Sequence, residues 1–173
     1  AVHHAALVRL SEREQELRVL TGGGMLDCKH ALEEAGGEFE KAKDILRQKG
    51  HALAAKRAER ATAEGVVLSY LHHDGRLGAL VEINCESDFV ARTEDFQQLA
   101  QSIALQVAAT NPQFVAPEDV PEGAEGDPKE LCLLLQPFVR DESVSIKDMV
   151  NEAIRKTGEN IRVRRFARFE LGR

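Results

Sequence analysis

In the first 50 residues the hydrophobic positions recur at helical spacing in three short stretches. Ser11-x-x-Glu14 has the form of a capping box; Leu17 and Leu20 follow on one face, and Gly22-Gly23-Gly24 closes the stretch. Met25, Leu26, Cys28, Ala31, Leu32 and Ala35 form a second stripe, ended by Gly36-Gly37. Phe39, Ala42, Ile45 and Leu46 form a third, with Gly50 in the position of a residue just past a helix end. Helices this short do not bury a face alone, so the pattern predicts a compact three-helix module over 1–50. Residues 51–63 are Ala-rich, carry Lys56, Arg57 and Arg60, and predict a fourth, connecting helix broken by Glu64-Gly65.

From there the period falls to two. Residues 66–72 and 76–85 are β-rich runs around His73-Asp74-Gly75, a strong hairpin signal. In the second run Leu77, Ala79, Val81, Ile83 and Cys85 alternate with the other face. Thr93 is placed to cap a long helix whose buried stripe is Phe96, Leu99, Ala100, Ile103, Ala104 and Val107, with Asn111-Pro112 as its stop. Residues 117–128, rich in Pro, Gly and acid, predict a loop. A further helix is expected over 145–156 and a last strand over 161–171. In that strand Ile161, Val163, Ala167, Phe169 and Leu171 share the odd positions with one intruder, Arg165, while Arg162, Arg164 and Arg168 sit on the even side. The expected fold class is α+β: the N-terminal bundle, then a core domain over 64–173 with a small antiparallel three-stranded sheet covered by helices on one face.

Composition narrows the function classes. The 173 residues carry 23 Lys+Arg against 29 Asp+Glu, a net charge of −6, and the acidic balance argues against a protein that coats nucleic acid. Hydrophobic residues at 43% with 30% charged fit a soluble globular chain, and no apolar run approaches the roughly 18 residues of a membrane span. Cys28, Cys85 and Cys132 are odd in number and lack C-x-x-C spacing, so neither a disulfide framework nor a zinc finger is expected, and a reducing compartment is the default. The lead-in, residues 1–10, lacks a signal peptide's charged start and long apolar stretch; His3 and His4 fit a flexible leader better than a metal site.

Catalytic constellations are missing. Gly22-Gly23-Gly24 lacks the Gly-Lys-Ser/Thr of a phosphate loop and fits a link between helices. His72 and His73 would point to opposite faces of a strand and so would not share an ion. Arg155, Arg162, Arg164, Arg165, Arg168 and Arg173 are the strongest electrostatic feature, as a phosphate contact or as a solvated or partner-facing surface. The segment from Cys85 to Arg92 puts an acid and a large aromatic, Asp88 and Phe89, between a strand end and a helix start; by composition alone Phe89 is more often core than functional. No enzyme, metal site or cofactor is expected.

Thr21-Gly22-Gly23-Gly24-Met25-Leu26-Asp27-Cys28-Lys29 resembles the T-G-A-G-M-M-D-C-K signature of the translation elongation factor Ts family. Asn84-Cys85-Glu86-Ser87-Asp88-Phe89-Val90-Ala91-Arg92 resembles its N-C-E-T-D-F-V-A-R signature, and Gly158-Glu159-Asn160-Ile161, Arg164-Arg165-Phe166 and residues 168–172 also fit. The resemblance runs from about Ser11 onward. It implies a guanine-nucleotide exchange factor for the GTPase elongation factor Tu, with a ubiquitin-associated-like N-terminal module. Met25, Leu26 and Lys29 match family residues at the docking contact; Asp88 and Phe89 match the pair that intrudes beside the partner's Mg²⁺ and switch region. The single hairpin-plus-helix unit resembles compact members that act as homodimers, here through the core sheet. Some of those carry an intersubunit disulfide where this chain has Ala167. His30 replaces a family Lys, and residues 121–130 are shorter than the insertion many members carry. A bacterial cytoplasmic location is implied, with an organellar one as the alternative. A non-catalytic interaction module and an RNA-binding protein using the C-terminal arginines are the competing readings.

Overall fold

The computed structural model describes residues 2–173, with side chains from Glu12 onward. Ala1 and the side chains of His3 and His4 lie outside the described residues. Helices α1 (Val2–Thr21), α2 (Met25–Glu34) and α3 (Phe39–Arg57) form the N-terminal bundle. Its core is Leu17, Cys28, Ala31, Leu32, Ala35, Ala42 and Leu46. The helix does not begin at Ser11, which lies within α1, and Leu20 faces solvent instead of sharing the buried face of Leu17. The connecting helix expected over 51–63 is the second half of α3, which runs through Gly50 to Arg57. Gly50 is buried inside that helix, where α3 crosses helix α7 (Ile146–Thr157) beside the backbone of Asn151. Burial against α7 outweighs the roughly 1 kcal/mol that a helical glycine costs.

The core domain is α+β. Strands β1 (Glu64–Leu71), β2 (Leu77–Cys85) and β5 (Arg162–Glu170) form one antiparallel sheet in the order β1-β2-β5. Between β2 and β5 the chain forms the one-turn helix α4 (Asp88–Ala91), the long helix α5 (Glu94–Thr110), the one-turn helix α6 (Pro128–Leu131) and α7. A second hairpin, β3 (Pro137–Phe138) with β4 (Asp141–Ser145), precedes α7. Sequence periodicity gave no sign of it, because two residues of strand and a polar Asp-Glu-Ser run carry no alternation. Helix α5 lies on the sheet, and Ala79, Val81, Ile83 and Cys85 pack with Phe96, Ala100, Ile103, Ala104 and Val107 in one core. Buried Gln106 of α5 bonds Gln136 (3.0 Å), the Pro137 carbonyl (3.1 Å) and the Val139 amide (2.9 Å), which fixes the second hairpin to the core.

The single arginine that broke the alternation of the last strand marks a β-bulge. Glu82 pairs with Arg165 while Ile83 pairs with Val163, so Arg164 is the extra residue. An inserted residue reverses the phase of everything beyond it. Val163 faces the helices, but from Phe166 onward the even positions do so, and Ala167 and Phe169 turn to the open face. The odd positions of 161–171 therefore do not share one face, as the sequence suggested. Arg164 and Arg165 both lie against Glu82, at 3.6 and 2.7 Å, and the Arg165 guanidinium holds that carboxyl below its usual range.

Helix α7 starts with a reciprocal cap. Ser145 Oγ accepts the Asp148 amide (3.1 Å) while Asp148 accepts the Ser145 amide (3.1 Å) and hydroxyl (2.8 Å), and the ring of His51 lies 2.6 Å from the same carboxyl. Burial opposes the charged form of Asp148, yet the bonds from Ser145 and His51 outweigh it and hold the carboxyl below the usual value. A lowered folded-state value stabilises the fold above the unfolded pKa, about 3.9, and the contribution is lost as pH falls through the lower folded one. Ser145→Ala should cost about 1 kcal/mol in urea denaturation at neutral pH, and the difference from wild type should shrink below about pH 4.

Candidate partner-binding site

Two loops carry the residues singled out by the sequence, and both are fastened to α7 or to the turn after it. The first is the glycine link between α1 and α2. Gly22 has φ +61, and a side chain there would run into the end of Lys156. Arg155, whose side chain is only 5% exposed, donates to the Thr21 carbonyl (3.1 Å), pairs with Glu152 and lies 3.9 Å from Asp27. The Thr21 hydroxyl donates to Leu17 (2.6 Å) and accepts the Gly23 amide (3.2 Å). The link is thus a shaped turn. It starts α2 so that Cys28, Ala31 and Leu32 face the bundle while Met25 (48% exposed) and Leu26 (69% exposed) face solvent, with Lys29 exposed beside them.

The second loop joins β2 to α5. Ser87 caps α4 by accepting the Val90 amide at 3.3 Å. Thr93 caps α5, accepting the Phe96 amide (3.4 Å) and donating its hydroxyl to the Val90 carbonyl (2.7 Å). Val90 and Ala91 take the inward face of the short turn, so Asp88 and Phe89 must point out. Phe89 is 76% exposed, against the core placement that composition favours. Asp88 pairs with Arg92 at 2.9 Å on the surface.

Behind this turn lies a set of contacts that local sequence pattern gave no means of finding. Glu159 accepts the amides of Glu86 (3.1 Å) and Ser87 (3.0 Å) and the Ser87 hydroxyl (2.6 Å). Asn160 donates its amide to Glu86 (2.6 Å) and its side-chain NH₂ to the carbonyls of Ala58 (3.3 Å) and Arg60 (2.8 Å). The buried Cys85 thiol donates to the Ser87 carbonyl at 3.1 Å; burial first, and the Glu159 charge second, push its pKa up to about 11, so it stays protonated as a donor. The resemblance of Gly158-Glu159-Asn160 to a family motif was the one signal pointing here.

All three cysteines are buried and free. His72 and His73 lie in the turn beyond β1, not on opposite faces of a strand, and their rings are 4.2 Å apart; Tyr70 reaches His72 at 3.1 Å. Among the described residues no group of three or more His, Cys, Asp and Glu is placed to hold a metal ion. The arginine run does not make one basic face: Arg155 is inside, Arg164 and Arg165 meet Glu82, and Arg168 donates to the Ala108 carbonyl (2.9 Å) and Glu170 (2.9 Å). Among the described residues no helix is long and apolar enough to cross a membrane.

Residues 29–128 match the family model described as elongation factor TS. The chain is 49% identical, over 94% of its length and 88% of the relative's, to elongation factor Ts of Carboxydothermus hydrogenoformans. This chain belongs to the elongation factor Ts family. Elongation factor Ts of Thermotoga neapolitana is 47% identical over 91% of this chain and 94% of its own, and that of Syntrophomonas wolfei 47% over 94% and 90%. Membership places the chain among the elongation factors of protein synthesis. The residues matched by the family model include the turn that carries Asp88 and Phe89. Gly22→Ala should cost about 1 kcal/mol or more in thermal denaturation, because a β-carbon at that φ is strained and Lys156 must move.

Proposed function

We propose that this chain is a guanine-nucleotide exchange factor that promotes GDP release from the translational GTPase elongation factor Tu. The observation that carries the reading is the outward Phe89, set on a turn whose next two residues are buried, within a member of the elongation factor Ts family. A nucleotide-binding GTPase holds GDP through Mg²⁺ and a phosphate loop, largely by electrostatics. A partner that binds the form with a disturbed Mg²⁺ and phosphate site more tightly must weaken GDP by the same factor. No covalent bond is made or broken, so the chain needs no cofactor and is not an enzyme in the bond-making sense. Met25 and Leu26 supply an apolar docking patch on the ubiquitin-associated-like bundle, and Lys29 adds charge complementarity and association rate. Phe89 wedges beside the partner's switch region while Asp88 reorganises polar contacts there. The action requires no nucleic acid, and the bacterial relatives support a cytoplasmic setting.

Release of labelled GDP from elongation factor Tu, with and without this chain, tests the reading. Phe89→Ala should alter stability by no more than about 0.5 kcal/mol, as for exposed positions generally, yet clearly reduce stimulated release. Full stimulation by the folded variant would exclude the wedge.

The open face of the sheet supports a second element of the reading, a symmetric homodimer. Val67, Leu71, Leu80 and Phe169 lie exposed on the face away from α5, with Ala167 opposite Leu80 in the register. A second copy would cover this apolar surface. Sedimentation equilibrium at micromolar concentration should give a dimer for wild type and a monomer for Leu80→Arg. Reducing agent should change neither result, since Ala167 has no thiol; a monomeric wild type would overturn the pairing.

A further inference from the structure

The turn bearing Asp88 and Phe89 has little to hold its own shape. β2 ends at Cys85 and α5 begins at Glu94, and the helix between them, Asp88–Ala91, is a single turn. One helical turn does not repay its own nucleation, so its geometry has to be imposed from outside. The amides of Glu86 and Ser87 fall beyond the strand and before the helix, and both donate to one oxygen of Glu159, while the other oxygen accepts a hydrogen bond from the Ser87 hydroxyl. An ionised carboxylate only accepts, so it fixes which way that hydroxyl points and leaves the Ser87 oxygen free to accept the Val90 amide.

The arrangement is reciprocal. Glu86 reaches back across the same gap to accept the Asn160 amide, and Asn160, 2% exposed, is in turn tied to the carbonyls of Ala58 and Arg60. Gly158, at φ +77, turns the chain out of α7, and the Thr157 hydroxyl accepts the Glu159 amide at 3.3 Å while donating to Ala153 at 2.8 Å. Each of the two segments thus supplies a carboxylate to the other's backbone. The acceptor is delivered from a rigid helix end, 72 residues further along the chain than the serine it orients.

We propose that Glu159, backed by Asn160, is a positioning residue for nucleotide exchange: its carboxylate clamps the Glu86–Ser87 backbone and thereby sets the direction in which Phe89 and Asp88 project. The role rests on the reading of Asp88 and Phe89 as the acting pair. In this role Glu159 acts through the turn it holds and not by contact with the partner. Its removal lowers the population of the competent turn, so the maximal rate falls while docking through Met25 and Leu26 is kept.

The test measures stimulated GDP release from elongation factor Tu across a range of concentrations of this chain, giving a plateau rate and a half-saturating concentration. It is paired with amide hydrogen exchange of the free chain. Glu159→Ala should lower the plateau about tenfold with the half-saturating concentration within about twofold; a tenfold loss corresponds to about 1.4 kcal/mol of transition-state stabilisation. Exchange of the Glu86, Ser87 and Val90 amides should quicken while α5 and the sheet stay protected. Ser87→Ala should follow in the same direction, Ser87→Thr should behave as wild type, and the double variant Ser87→Ala with Glu159→Ala should lose less than the product of the two single losses, because the two side chains share one hydrogen bond while Ser87 also caps Val90. Glu159→Gln keeps the shape and is the variant to use should Glu159→Ala unfold; it should fall between wild type and Glu159→Ala. A wild-type plateau in Glu159→Ala, or a loss that Ser87→Ala merely adds to, would overturn the proposal. Unchanged exchange at Glu86 and Ser87 would overturn the clamp whatever the GDP assay gives. Quickened exchange in a protein whose wild type releases no GDP would overturn the exchange reading instead, and the positioning role with it.

Discussion

Helix α7 is the constraint on which the rest of the structure depends. It packs on α3 of the N-terminal bundle and on α5 of the core domain, burying Ile146, Val150, Ala153 and Ile154. Full burial of an Ile or Val side chain contributes about 1.5–3 kcal/mol before the entropy of ordering it is subtracted. The polar contacts at its two ends complete the joint. At the start, His51 of α3 meets the Asp148 cap; near the end, Arg57 of α3 donates to the Ile154 carbonyl at 2.9 Å. The bundle and the core are held at a fixed angle by one shared helix rather than by a linker.

In the proposed function that joint has a consequence. Arg155 reaches the glycine link that starts α2, and Glu159, four residues on, reaches the turn that carries Phe89. The proposed docking patch and the proposed wedge are therefore referenced to the same helix, one to its last turn and one to the residues just beyond it. A rigid element between two contact sites fixes their separation, so that binding at one need not spend further entropy to align the other. An exchange factor works by preferring one conformation of its partner over another, and such a preference requires that its own two contacts not adapt to both.

Three groups of exposed apolar residues differ in how the chain holds them out. Met25 and Leu26 lie on the solvent side of an amphipathic helix, Phe89 on a capped turn, and Val67, Leu71, Leu80 and Phe169 on the uncovered side of a sheet. None is a loose residue on a free loop. Each sits on backbone fixed by hydrogen bonds elsewhere, the kind of presentation a binding surface needs.

Much of this was legible in the sequence because it is local. Period 3.6 gave the bundle and α5 and α7, period 2 with Asp74-Gly75 gave the hairpin, and Thr93 stood where a cap was needed. The two signature segments were recognisable for the same reason: each is one continuous stretch. What the sequence left undecided depends on contacts between distant residues. Gly50 looks like a helix stop until α7 is packed against it. The last strand looks like one alternating run until Glu82, across the sheet, shows Arg164 to be the extra residue. Phe89 looks like core until Val90 and Ala91 fill the inward side. Glu159 has no local pattern at all, since its partners are 73 and 72 residues away. Chain periodicity determines which face of an element is apolar; only the packed fold decides what meets that face, because burial and hydrogen-bond pairing belong to pairs of segments and not to either one alone.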